Sequence, residues 1–227
     1  VSMSTMFARG IARLHGLGLV HSGLKPETVM RMSDGTWQLA HTDGAAAVGA
    51  PIGGKALSTA YMPPEMTTIV DGEGVFRVPK EGAPYEPLVA EPTLDIWSFM
   101  VVLHRAVAHK PLLEADDRDN LRGKRELLAL KNWGPKALSE ALADADAALV
   151  ADGVGAFERL VVCDLLGWGL QEKPKDRPGS CEEVLAHPYF AGVEVEDEDE
   201  DEDEDKKDGA KEEEGEEEQK GQGAIEA

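Results

Sequence analysis

The stretch from residue 94 to residue 108 constrains the fold of this chain more than any other feature. Its sequence, LDIWSFMVVLHRAVA, places apolar side chains around nearly the whole circumference of a helix. A helix without a polar face needs other elements on all sides, so we predict that it lies buried at the centre of a helical domain. Thr93 precedes the stretch and is predicted to be its N-cap.

Hydrophobic periodicity and turn residues predict the remaining elements. Residues 29–32 and 36–40 alternate about a Ser-Asp-Gly turn, which predicts a small β-hairpin. Loop-like chain is predicted over 41–59 and 66–92, with a short strand at 75–78. Further helices are predicted over 3–17, 121–131, 135–151, 155–171 and 180–187. The predicted fold class is therefore mainly α with a small β-hairpin.

The net charge of −21 is concentrated at the C-terminal end of the chain. Residues 193–227 hold 19 acidic and 4 basic side chains, and the preceding 192 residues keep a net charge of only −6. This segment has too few apolar side chains to offset its ordering entropy, so we predict a disordered acidic tail. The predicted domains are a folded body over 1–192 and the tail over 193–227. The body shows no basic footprint for direct nucleic-acid binding.

Cysteine, histidine and hydropathy patterns narrow the class of protein further. Cys163 and Cys181 lie in apolar or helical segments, which indicates two buried, reduced thiols rather than a disulfide scaffold. The six histidines show no metal-ligand spacing, so no metal site is predicted. No apolar run is long enough to span a membrane, and no signal peptide is recognised. We expect a cytoplasmic or nuclear protein that does not bind membranes.

Five segments of distinctive sequence follow one another at characteristic spacing. They are HSGLKPET at 21–28, HTD at 41–43, YMPPE at 61–65, DIWSF at 95–99, and KPKDRP at 173–178 followed by VLAHPYF at 184–190. Together they resemble the C-terminal lobe of the eukaryotic Ser/Thr protein kinase domain, whose own motifs include HRDLKPEN, DFG, YMAPE and DIWSF. The resemblance covers roughly residues 3–190, and it implies the C-terminal lobe of the α+β protein kinase fold.

The resemblance assigns roles to the positions that carry phosphoryl-transfer chemistry. In the family, an aspartate in the first motif accepts the substrate hydroxyl's proton, and an asparagine five residues later binds magnesium. Gly23 stands at the position of that base, while Thr28 and His41 stand at the positions that bind Mg-ATP. An alternative alignment makes Asp43 the metal ligand instead of His41. Lys25, which is typical of the Ser/Thr branch, is expected to contact the transferred phosphate.

Other matched positions have structural roles in the family. The resemblance implies that Asp95 accepts hydrogen bonds from the backbone of the 21–28 segment. It also implies that Glu65 and Arg177 form a buried ion pair, in which the loss of one partner is costly. Ser58 or Thr59 corresponds to the hydroxyl residue that precedes the YMAPE motif, and a loop residue without a role is the alternative.

The activity of the family is ATP-dependent phosphorylation of protein Ser and Thr. The sequence replaces the base and both metal ligands, and it contains none of the N-lobe elements that hold ATP. No cofactor is therefore expected for this chain alone, and ATP with Mg²⁺ only if an N-lobe is present and activity is retained. The favoured interpretation is an inactive, pseudokinase-like module that binds protein partners.

Two other interpretations remain open at this stage. One is a fragment of an active Ser/Thr kinase with an atypical catalytic loop. The other is a protein whose acidic tail binds basic proteins electrostatically. The alternative to this role of the tail is that it only improves solubility.

Overall fold

The computed structural model describes residues 2–52, 58–77 and 81–191, and the predicted acidic tail over 193–227 lies outside them. The helices are α1 (Met3–Gly16), α2 (Pro92–Ala108), α3 (Lys124–Lys131), α4 (Pro135–Ala151), α5 (Ala156–Gly169) and α6 (Cys181–Leu185). The strands are β1 (Leu19–Val20), β2 (Val29–Arg31), β3 (Trp37–Leu39), β4 (Ala46–Ala47), β5 (Thr67–Val70) and β6 (Glu73–Phe76). They pair antiparallel as β1–β4, β2–β3 and β5–β6. This confirms a mainly α fold that contains the predicted small hairpin, β2–β3, beside other small antiparallel sheets.

Helix α2 forms the centre of the described body, as its all-round apolar sequence predicts. Ile96, Trp97 and Met100 are fully buried, and the helix packs against α1, α4 and α5. The predicted N-cap, Thr93, is wrong. The N-cap is Glu91, and the helix begins at Pro92 because the fixed φ of proline suits the first helical position, where no amide hydrogen is needed.

The segment 66–92 contains a hairpin, whereas its sequence predicts mainly loop. Strand β5 pairs with β6 around Asp71 and Gly72, both of which have positive φ, as a tight Asp-Gly turn requires. The strand β6 ends at Phe76, whereas a strand over 75–78 was predicted; Val78 lies outside the described residues. Gly74 brings this hairpin against α3, because a Cβ atom there would lie 3.2 Å from the Leu127 side chain.

Smaller differences between the structure and the sequence predictions concern the start of α3, the loop over 41–59 and Cys163. Helix α3 begins at Lys124, not at residue 121, because Leu121 pairs with Ala115 in an isolated β-bridge. The predicted loop over 41–59 includes strand β4. Both cysteines are free thiols, but only Cys181 is buried and Cys163 is half-buried. Within the described ranges, no helix is long and apolar enough to cross a membrane.

His104 faces α4 from the buried centre of α2. Its Nε2 atom donates to the carbonyl oxygen of Ala141 over 3.1 Å, and the residue is 1 % exposed. Burial lowers the pKa of His104 below its ordinary value of 6.5, and Lys110 adds to this effect. The hydrogen bond to Ala141 and the Asp144 carboxylate oppose the shift without reversing it. The imidazole is therefore neutral in the folded domain near neutral pH.

This burial predicts a loss of stability in mild acid. The unfolded chain takes up a proton at His104 near pH 6.5, whereas the folded domain does so only at lower pH. The free energy of unfolding should therefore fall, by at most about 1.4 kcal/mol per pH unit from this residue, as pH drops below about 6.5. Urea unfolding near pH 7.5 and near pH 5.5 measures the difference. His104→Gln should flatten it, and His109→Gln should not; an unchanged slope in H104Q would contradict the assignment.

Candidate functional site

The segment 21–28 leaves β1 and is held against the first turn of α2 by Asp95. This carboxylate is fully buried; Oδ2 accepts from the backbone nitrogen of His21 over 2.7 Å, and Oδ1 accepts from that of Ser22 over 2.9 Å. His15 of α1 donates to Oδ2 over 3.1 Å. Hydrogen bonds to a buried carboxylate are strong, so one side chain ties the loop, α1 and α2 together. Ser22 has a φ of 62°, a conformation that these bonds hold in place.

His21 connects the loop to the chain that follows the β2–β3 hairpin. Its side chain is buried, and Nε2 donates to the carbonyl oxygen of Ala40 over 3.0 Å. The contact places Gly23 and His41 on segments fixed to one another. The hydrogen bond joins the loop two residues before Gly23 to the chain one residue before His41.

The position of the expected base has no side chain that accepts a proton. Gly23 lines a crevice of about 10 Å³, which has room for about one water molecule. Among the described residues that line this crevice, none carries a carboxylate or an imidazole. The lining residues that carry hydroxyl groups are Ser22, Ser58, Tyr61 and Ser98. A hydroxyl with an ordinary pKa is a weak general base near neutral pH.

Thr28 directs its hydroxyl group back into the loop. The side chain is buried, and Oγ1 donates to the carbonyl oxygen of Lys25 over 2.7 Å and accepts from its backbone nitrogen over 3.2 Å. The hydroxyl hydrogen and one lone pair are used within the loop. The Lys25 ammonium remains partly exposed, 3.8 Å from the Glu27 carboxylate.

His41 and Asp43 lie in the short segment after β3. His41 is exposed with φ 61° and ψ 35°, and a 3₁₀ turn over Thr42–Gly44 follows it. The alternative alignment that makes Asp43 the metal ligand requires an insertion in the preceding hairpin. The β2–β3 pairing is regular, with Val29 opposite Leu39 and Arg31 opposite Trp37, and it contains no extra residue.

Glu65 and Arg177 meet in a two-pronged ion pair. Nη1 donates to Oε1 over 2.7 Å and Nη2 to Oε2 over 2.9 Å, with the Arg177 side chain fully buried and that of Glu65 16 % exposed. The guanidinium also donates to three backbone carbonyl oxygens and lies 4.9 Å from the centre of the Trp97 ring. This pair joins the 61–65 segment to the chain between α5 and α6.

A second polar cluster, which the sequence analysis missed, fixes the start of the 61–65 segment. Arg105 donates to the Tyr61 hydroxyl and to Asp119 Oδ1, the latter over 2.9 Å, and the Tyr61 hydroxyl donates to Asp119 over 3.3 Å. The hydroxyl of Thr59 accepts from the backbone nitrogen of Leu121 over 2.8 Å. Burial first, and the Asp119 carboxylate second, raise the pKa of Tyr61 to about 12, so the phenol keeps its proton.

Comparison with known families explains this architecture. The family model described as the protein kinase domain matches residues 2–190 of the chain. The chain belongs to the protein kinase domain family. A search among individually curated proteins found no match.

Protein kinase domains generally use ATP and Mg²⁺, so the donor set of this kinase domain can be tested for its fit to magnesium. Mg²⁺ prefers oxygen ligands, above all carboxylates, in octahedral geometry. The aligned positions carry Gly23, the internally bonded hydroxyl of Thr28 and the imidazole of His41. Within the described part of the chain, no group of three His, Cys, Asp or Glu residues is placed to hold a metal ion. The residues at these three aligned positions do not fit a kinase-type magnesium site.

Proposed function

We propose that this protein kinase domain acts as a pseudokinase-like binding module and does not transfer phosphate. One observation carries the proposal: the kinase scaffold around the loop is intact, while its reacting positions lack the necessary groups. Asp95 and the Glu65–Arg177 pair keep their family partners. Gly23 supplies no base, and Thr28 commits its hydroxyl to the backbone of Lys25.

The replaced groups matter because of the way in which kinases catalyse phosphoryl transfer. The protein contributes little covalent chemistry to this reaction, and it accelerates it by positioning the reactants and neutralising charge on the phosphate oxygens. A positioned general base alone is worth about 10²–10⁴-fold in rate. A domain without the base and with poor magnesium donors loses several such contributions together.

A binding role is supported by what the scaffold keeps. The buried ion pair and the Asp95 hydrogen bonds maintain a rigid helical body, and that body presents large apolar side chains to solvent. The most exposed of these are Leu17, Phe157 and Leu160, at 69 %, 73 % and 70 %. Phe157 and Leu160 are three positions apart on α5, so they are neighbours on the helix surface. Neighbouring exposed apolar side chains are typical of surfaces that bind other proteins. We propose protein partners for this domain.

A second candidate function is residual kinase activity through Asp43. This carboxylate is exposed in the turn immediately after His41, close in sequence to the expected metal position. A single carboxylate supplemented by water molecules is a sufficient anchor for Mg²⁺ in some phosphate-bound sites. The two candidates predict opposite responses to nucleotide.

The response of the melting temperature to Mg-ATP distinguishes the inactive binding module from a domain with residual kinase activity. We expect no change relative to magnesium chloride at matched ionic strength, because the donors of a kinase site are missing. A bound ligand at about 100 times its Kd would instead stabilise the fold by about 2.7 kcal/mol. A concentration-dependent rise that Asp43→Asn removes, and that Asp34→Asn in the β2–β3 turn leaves intact, would contradict the proposal.

A further inference from the structure

The outer side of α5 carries a row of large apolar side chains, which we call the α5 face. Phe157 is followed at three, four and eleven positions by Leu160, Val161 and Trp168, a spacing that places all four on one side of the helix. Phe157 and Leu160 are strongly exposed, whereas Val161 and Trp168 are half-buried. From residue 157 to residue 168 the row is about 16 Å long, which corresponds to about three helical turns.

The α5 face is held rigidly by the packing of the helix. Leu165 and Leu166 are fully buried on the opposite side, where α5 contacts α2 and α4. At the C-terminal end of the row, the centre of the Trp168 ring lies 6.0 Å from that of the buried His187 ring. A partner that binds here meets a preformed surface, and it therefore pays little for ordering the domain.

The charges on the α5 face are negative. Asp164 lies within the row, and its side chain is 80 % exposed although Nε2 of His187 donates to it over 3.2 Å. Glu158 follows Phe157 and is exposed in the first turn of the helix. Residues 135–169, which include α4 and α5, hold six acidic and two basic side chains. Their net charge of −4 is two thirds of the −6 carried by the whole body.

The one basic residue of α5 is used inside the domain. Arg159 donates from Nε to Asp146 Oδ1 over 2.8 Å and from Nη1 to the carbonyl oxygen of Val154 over 3.1 Å. Both acceptors lie in α4 or in its connection to α5, so the guanidinium is turned towards α4. It does not offset Asp164 and Glu158 on the outer side of the helix.

We propose that the α5 face binds an amphipathic basic helix of a partner protein. Its apolar side chains would cover Phe157 and Leu160, and a lysine or arginine would pair with Asp164. A helical partner fits because its own side chains at every third or fourth position match a straight apolar row. Cationic side chains fit because they form charge-assisted hydrogen bonds with an exposed carboxylate. This inference rests on the proposed binding role and names the surface and the partner chemistry.

The same charges disfavour other occupants of the α5 face. A symmetric contact with a second copy would bring the same surface of both chains together, and with it two sets of carboxylates. Nucleic acid and anionic membranes carry the same sign of charge as the face and are repelled by it. An apolar row with a negative rim therefore favours a basic protein segment.

A binding titration with the full chain tests the proposal. The probe is a fluorescein-labelled peptide of about 14 residues, long enough to cover the row as a helix, with lysines and with leucine at every third or fourth position. In a matched peptide serine replaces every leucine, so the charge is unchanged. The acidic residues over 193–227 attract both peptides equally, and the difference in affinity measures the apolar contact. We expect anisotropy to show binding of the leucine peptide at least about tenfold tighter.

Three variants locate the binding site. Leu160→Ser should weaken binding of the leucine peptide by about tenfold, because it removes an apolar contact from the centre of the row. Asp164→Asn keeps an acceptor oxygen for His187 but loses the charge, and it should weaken binding by about two- to fivefold. Leu17→Ser on α1 is the matched control, since Leu17 is as exposed as Leu160, and it should leave affinity within about twofold. All three side chains are exposed, so the variants should fold.

Several results would overturn the proposal. They are equal affinity of L160S and the wild-type chain, equal affinity for the leucine and serine peptides, and equal binding of a glutamate-leucine peptide. In sedimentation velocity we expect the chain to stay monomeric; a dimer that L160S abolishes would assign the face to a second copy instead. Phosphate transfer by the chain would contradict the proposed function without changing these affinities, so the two proposals fail separately.

Discussion

Replacing Glu65 by alanine is expected to lower the free energy of unfolding by about 3–5 kcal/mol. The variant leaves the Arg177 guanidinium buried without its carboxylate, and a buried unpaired charge has no solvent to stabilise it. The remaining contacts of Arg177 are to backbone carbonyl oxygens and the Trp97 ring, which supply no opposite charge. For a domain of this size the melting temperature should fall by roughly 6–20 °C.

Urea unfolding measured by circular dichroism gives the free energy, and an exposed ion pair provides the matched control. Lys136 and Glu140 lie 3.9 Å apart on α4 with side chains that are 91 % and 68 % exposed. Glu140→Ala should therefore change stability by no more than about 0.5 kcal/mol. Arg177→Lys keeps the charge but loses the two-pronged geometry, and it should fall between the two. A Glu65→Ala variant as stable as Glu140→Ala would refute the assigned role of the pair.

The sequence predicts the central helix from elementary physical chemistry, and the family motifs predict what surrounds it. Residues 94–108 are apolar on every side, and α2 is buried as that pattern requires. The contacts of Asp95 could not be predicted from local sequence in this way, because the backbone of His21 lies 74 positions away in sequence. No local rule pairs such distant positions, and only the resemblance to the kinase family indicated the contact.

Competition between local sequence signals explains why the start of α2 and the β5–β6 hairpin were not predicted. Thr93 has a capping side chain, yet Pro92 begins the helix because its ring already has a helical φ. The β5–β6 hairpin was missed because glutamate and glycine open β6 and have weak β-propensity. The Asp71-Gly72 dipeptide between the two strands was the available signal, since it favours the tight turn that joins them.

The candidate site, like the fold, could be predicted only in part from the sequence. The identities of Gly23, Thr28 and His41 predict missing chemistry directly, whereas the orientation of the Thr28 hydroxyl depends on the folded loop. The cluster of Tyr61, Arg105 and Asp119 could not be predicted, because Asp119 lies in a loop without a motif. Its position follows from the packing of that loop against the end of α2.

We expect that this kinase domain transfers no phosphate from ATP. Typical protein kinases turn over about 1–100 times per second, and a domain without base and metal donors should show none of this activity. The loss is not confined to one residue, since Gly23 removes the proton acceptor while Thr28 and His41 are poor oxygen donors for magnesium. Lys25 keeps the residue type of the Ser/Thr branch at its aligned position, and its contact with a transferred phosphate stays a prediction.

Transfer of labelled phosphate from Mg-ATP to a basic protein substrate tests this claim most directly. The full chain, its Lys25→Ala variant and an active protein kinase are assayed side by side. We predict that the chain and its variant both remain at the level of the enzyme-free blank, while the active kinase labels the substrate. Labelling by the wild-type chain that Lys25→Ala abolishes would contradict the account.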